Sequence, residues 1–196
     1  MPPPAPLRVT LLITRSTLPV GWEERITEHL GLAWRANLFF LDQGIHLIER
    51  PWSGSRFGGE RIYCAYGHGQ LNGPRPSPDI FPGGLANLGR MIRESDYTLS
   101  LPATHWPAQP GQHPQKSIGI LLVDDNPFLL VETTRLAAGL AGCNHKPTLF
   151  SPFYPGPIFP ITAAPYLEAL HALGGSITAS PPYEQMALEQ EVVLQF

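Results

Sequence analysis

Chemistry in this chain begins with its two cysteines, because a thiolate can attack an electrophile or carry sulfur. Cys64 ends the strand-like run Arg61-Ile62-Tyr63-Cys64-Ala65-Tyr66, which breaks at once into Gly67-His68-Gly69-Gln70-Leu71-Asn72-Gly73-Pro74. A strand that runs into a glycine-rich turn sets its last side chain at the carboxyl rim of a sheet, where open α/β sheets bind ligands. A thiol there is expected to be within a partner's reach. The alternative is a small hydrophobe packed in the strand, since free cysteine is among the most buried residue types. His68, four residues on, either supplies a proton or a charge to Cys64 or is a solvated loop histidine. Arg75 lies in the same long loop and could fold back, whereas Arg61 stands at the wrong end of the strand. Cys64 with His68 is the expected catalytic pair.

The other candidates read as structural. Cys143 sits near a helix end in Ala141-Gly142-Cys143-Asn144-His145-Lys146. His145 and Lys146 would favour its thiolate, but a helix carboxyl end disfavours negative charge. Cys143 with His145, or Cys64 with His68, lacks the further ligands a metal site needs. Asp42 follows a strand, either capping a short helix over 45–48 or acting at the rim. There a carboxylate beside Cys64 would raise the thiol's pKa. Asp124-Asp125 at a strand's carboxyl end could hold Mg²⁺, but Ser180 stands where a phosphate-accepting aspartate would be needed, so capping of the next helix is preferred. Gly67-x-Gly69 lacks the third glycine of a phosphate-cradling loop. No serine nucleophile elbow is present. Neither cofactor nor metal is expected.

Strands and helices must position these residues. Leu7–Ile13, 36–41, 61–66 and Tyr97–Leu101 are strand-like, with helical periodicity over 22–34 and 84–95 and a period-free loop over 67–82. The stretch 102–116 holds four prolines and reads as a linker. The pattern then restarts: a strand over 117–123, a helix over 128–141, a strand from Thr148, a helix over 165–173 stopped by Gly174-Gly175, and strands over 177–179 and 192–196. Strands alternating with helices predict an α/β fold with a parallel sheet. The halves, 1–101 and 117–196, share an element order and an ending, 97–101 and 192–196. This predicts a pseudo-duplicated, two-lobed chain.

Composition bounds the class. The 196 residues are 43% hydrophobic and 15% charged, with net charge −3 and 23 prolines. No basic cluster points to direct nucleic-acid binding, and no apolar run is long enough to span a membrane. The start, Met1-Pro2-Pro3-Pro4, lacks the features of a secretory signal, and two distant cysteines make no disulfide framework. A cytoplasmic location is expected. A surface short of charge suits an oligomer.

The first half resembles the DsrE/DsrF/DsrH-like family, which includes the TusB, TusC and TusD sulfur-relay proteins. The resemblance rests on Arg8 to Arg15, on Phe39-Phe40-Leu41-Asp42-Gln43-Gly44-Ile45, on Ile62-Tyr63-Cys64-Ala65 with Leu71-Asn72-Gly73 beyond it, and on Gly83-Gly84-Leu85-Ala86-Asn87-Leu88 with Ser95-Asp96-Tyr97-Thr98-Leu99. It implies two DsrE-like, flavodoxin-like halves, the second degenerate, and an assembly of two, three or six chains. It also implies sulfur carried as a persulfide on Cys64, with a protein sulfur donor or acceptor as partner. The family's basic residue in the turn is Asn72 here. In the second half the corresponding position falls near Ala179 or Ser180, and neither carries persulfide sulfur. The alternative is a non-catalytic binding or scaffold subunit of a sulfur-trafficking assembly.

Overall fold

The computed structural model describes residues 5–31, 33–52, 54–64, 77–101, 106, 110–111, 113–122, 126–152, 154, 160–179 and 189–196. Their strands are β1 (Leu7–Ile13), β2 (Trp34–Phe40), β3 (Arg61–Cys64), β4 (Phe81–Gly83), β5 (Tyr97–Leu101), β6 (Ser117–Leu121), β7 (Lys146–Phe150), β8 (Ser176–Thr178) and β9 (Val192–Gln195). The helices are α1 (Trp22–Leu30), α2 (Leu85–Glu94), α3 (Pro127–Gly142) and α4 (Ala164–Ala172). All strand pairs are parallel, in the order β4-β3-β2-β1-β5-β9-β6-β7-β8. The α/β expectation holds.

The two halves do not form separate lobes. They share one sheet, joined where β5 pairs with β9 at Leu99 and Val193. Ser100 reinforces the seam, its Oγ donating to the Gln195 carbonyl and accepting the Gln195 N–H, both at 3.3 Å. The halves are not interleaved either. The order reads β3-β2-β1-β5 and then β9-β6-β7-β8, so each half places its strands outward from the seam in mirrored sequence. The chain moves from β1 to β2 in one direction and from β6 to β7 in the other. Right-handed crossovers then put α1 and α3 on opposite faces. On the first face Trp22 and Ile26 of α1 pack on Val9, Leu11, Ile13, Leu38 and Phe40. On the second face Leu88, Met91 and Ile92 of α2 share a core with Leu12, Phe39, Ile62 and Cys64, and with Leu130 and Leu140 of α3 over Ile120 and Leu149.

Local chemistry sets several boundaries differently from the periodicity. The first helix stops at Leu30 because Gly31 follows with φ +81°. Trp34, expected in that helix, opens β2 instead and is buried. Asn126 caps α3, its Oδ1 accepting the Phe128 N–H at 3.0 Å, with Pro127 at the first helical position; the cap is not the aspartate pair. Asp42 is not the cap residue, for the 3₁₀ turn over Asp42–Leu47 begins at Asp42 itself and its cap position, Leu41, makes no side-chain hydrogen bond. The short strand β4 begins at the end of the stretch expected to be loop, 67–82, and runs one residue past it. Its sequence, Phe-Pro-Gly, is poor strand former, tolerated because β4 is an edge.

Candidate functional site

The expected site is the carboxyl rim of the first half. Cys64 ends β3 there, in register with Gly83 of β4. Gly83 is followed by Gly84, the cap of α2, whose N–H donates to Asn87 Oδ1 at 3.0 Å. A side chain at Gly83 would collide with the Ile62 side chain, its Cβ 2.4 Å from Cγ2, so the glycine lets the β4–α2 corner close against β3. The amino end of α2 therefore starts beside the strand rung that carries the thiol.

Against the expectation of an accessible thiol, Cys64 is 4% exposed. Its side chain points to the second face, the one that α2 and α3 cover, and it joins their apolar core. His68, Asn72, the Gly67–Pro74 turn and Arg75 lie outside the described residues, as do Asp124, Asp125 and Ser180. Arg61 stays at the far end of β3, donating to the carbonyls of Trp52 at 2.9 Å and Phe57 at 3.4 Å.

The same rim carries a charged group. Asp42 follows β2 with φ +52°, a left-handed conformation that Asn and Asp tolerate better than most residues. It is held there because the chain folds directly over β1: Leu41 N–H donates to Ile13 O at 2.9 Å, and a Cβ on Gly44 would sit 1.9 Å from that same oxygen. Burial pushes the Asp42 carboxyl above its ordinary pKa, although the Gln43 N–H, Arg15 and His46 oppose it. Glu132 of α3 is pushed up too, by burial first and by Asp42 last, against the pull of Arg135. Glu132 and Arg135 form a hydrogen-bonded ion pair whose side chains are 17% and 16% exposed. They are the only charged residues of α3. An i, i+3 charge pair alone on an apolar helix is the sequence signal for them, and it is a signal of neither a nucleophile nor a metal ligand.

The surroundings of Cys143 favour its thiol form. Burial raises its pKa more than Arg93 lowers it, and its Sγ donates weakly to Leu85 O at 3.7 Å. His145 and Lys146 do not activate it. His145 is buried, with Nδ1 accepting the Lys116 N–H at 3.2 Å and Nε2 lying 2.9 Å from Gly89 O. That is the neutral tautomer with the proton on Nε2, and burial holds its pKa below the ordinary histidine value. These surroundings fit the structural reading of Cys143. Among the described residues no group of three or more His, Cys, Asp or Glu is placed to hold a metal, and no described helix is long and apolar enough to cross a membrane. No family model, no curated protein and no solved structure matches this chain.

Proposed function

We propose that this chain is a cytoplasmic sulfur-relay protein of the DsrE-like kind, which takes sulfane sulfur on Cys64 as a persulfide and passes it to a partner protein. The observation that carries the reading is the place of Cys64: the last residue of β3, at the carboxyl rim, in register with the glycine that leads into α2. The sequence resemblance over residues 8–101 supports the same cysteine. In loading, the Cys64 thiolate attacks the outer sulfur of a donor persulfide. A new S–S bond forms as the donor's S–S bond breaks, and the donor leaves as its thiolate. In unloading, a partner's thiolate attacks the outer sulfur and Cys64 leaves as thiolate. Sulfur moves with no net oxidation, so no redox cofactor enters. His68, in the loop that follows, is the proposed proton partner. The second half, with Ser180 two residues past the end of β8 in the sequence, is a degenerate copy that carries no sulfur. A homo- or hetero-oligomer with the donor or acceptor completes the proposal.

A second reading, a binding or scaffold subunit with an inert Cys64, is favoured by one observation, the 4% exposure of that residue. Thiol labelling of the folded protein separates the two. A carrier's Cys64 reacts with a small alkylating reagent in the native state. Labelling of Cys64 only after denaturation would favour the scaffold.

A further inference from the structure

A second site lies at the opposite edge of the sheet, the amino rim of β6 and β7, where an open cavity of about 510 Å³ is walled by Arg93, His113, Gln115, Asn144, Lys146 and Glu191 among others. We propose that this cavity binds a small oxyanion, a molecule bearing a phosphate or carboxylate group. The volume lies within the range of small-ligand sites, about 300–1,000 Å³. Every lining residue is polar except one proline.

The charge balance favours an anion. Among the described lining residues Glu191 is the only carboxylate, and it is already engaged: its Oε2 accepts the Ser117 N–H at 3.0 Å and its Oε1 lies 3.3 Å from His113 Nδ1. The Glu191 N–H in turn donates to Ser117 Oγ at 3.0 Å, so the carboxylate is a fixed wall rather than a mobile counter-ion. Lys146 forms no ion pair among the described residues, and neither does Arg93. Arg93 gives one N–H to Cys143 O at 2.7 Å, and a guanidinium has five. Buried Lys116 stands behind the wall, its ammonium on Gly111 O. Lys116 faces Asp96 as well as Glu191, and burial lowers its pKa, so it adds no surplus to the wall. Among the described lining side chains two cations, Arg93 and Lys146, meet the one engaged carboxylate, in a chain whose net charge is −3. Asn144, at φ +65° just past α3, has its Oδ1 engaged by Gln115 Nε2 at 3.2 Å, which leaves its NH₂ as a donor.

The test is calorimetric titration of the full chain with inorganic phosphate and, separately, with malonate. Saturable one-to-one binding of at least one is expected. Lys146→Glu, at an exposed side chain, is expected to weaken it by about tenfold or more, as loss and reversal of one charge-assisted contact would. Phosphate alone binding would assign a phosphate-bearing ligand; malonate alone, a carboxylate. Cys64→Ser is expected to leave the affinity unchanged, so failure here and failure of the sulfur-relay reading are separable. No saturable binding of either probe, or binding that neither Lys146→Glu nor Arg93→Gln alters, overturns the site.

Discussion

At the residue scale, the rim is maintained at some expense to stability, and Asp42 shows how. Its carboxyl is half-buried, and its folded pKa lies above the ordinary 3.8 chiefly because burial disfavours the charge. An acid with a raised folded pKa binds its proton more tightly in the native state. Stability from this group is therefore greatest at low pH and falls as pH rises from 3.8 through the folded value. Asp42→Asn is expected to raise the melting temperature at neutral pH, since asparagine is neutral and also tolerates φ +52°. The gain should close as pH falls below 3.8. Melting curves across pH check this; a pH-independent difference, or a loss of stability at neutral pH, would contradict it. The sequence made Asp42 visible because it follows an apolar strand. Its strained backbone was not visible, because Gly44 packing on Ile13 O is a contact between two strands' ends. The burial of Cys64 was hidden for the same reason: which face a strand's last residue takes depends on helices from both halves.

At the element scale, His145 links β6, β7 and α2 through Lys116 N–H and Gly89 O. Its folded pKa lies below 6.5 because burial disfavours the cation. Its contribution is thus present above pH 6.5 and lost as pH falls through the folded value. His145→Ala is expected to cost about 1–3 kcal/mol at neutral pH, because it strands the Lys116 N–H in the interior. It should also flatten the acid side of the stability profile, measured by urea denaturation at several pH values. Gly89 makes the matching prediction. A Cβ there would lie 2.6 Å from Cys143 Cβ and 2.7 Å from its Sγ, so Gly89→Ala should destabilise by about 1–3 kcal/mol as an overpacked core does. A variant as stable as the parent would mean that α2 and α3 have room to part. Strands such as Leu7–Ile13 and Tyr97–Leu101 were legible to the residue because each is a short run rich in β-branched, aromatic and leucine side chains. β4 was not, because Phe81-Pro82-Gly83 owes its pairing to β3 rather than to its own propensity.

At the scale of the whole molecule, the larger apolar core draws on both halves, with Leu12, Phe39 and Ile62 beside Ile120, Leu149 and Leu194. Such a core cannot be divided at 102–116 without exposing both parts. Heat and urea unfolding are expected to show one transition, coincident by far-ultraviolet and tryptophan signals; two separated transitions would restore independent lobes. Light scattering is expected to give a mass above that of one 21.5 kDa chain, and a monomer at micromolar concentration would remove the proposed oligomer. The restart of the pattern after 116 was readable as a second half. That β9 returns to stand between β5 and β6 was not, because strand order is decided by long-range pairing that no local pattern encodes.

The sulfur-relay account rests on Cys64 and meets its most direct test in intact mass. The protein, its Cys64→Ser variant and its Cys143→Ser variant are each incubated with a persulfide donor and weighed before and after reduction. A persulfide carrier gains about one sulfur atom, reversed by a reductant, in the parent and in Cys143→Ser but not in Cys64→Ser. No gain in the parent, or a gain that survives Cys64→Ser, would contradict it.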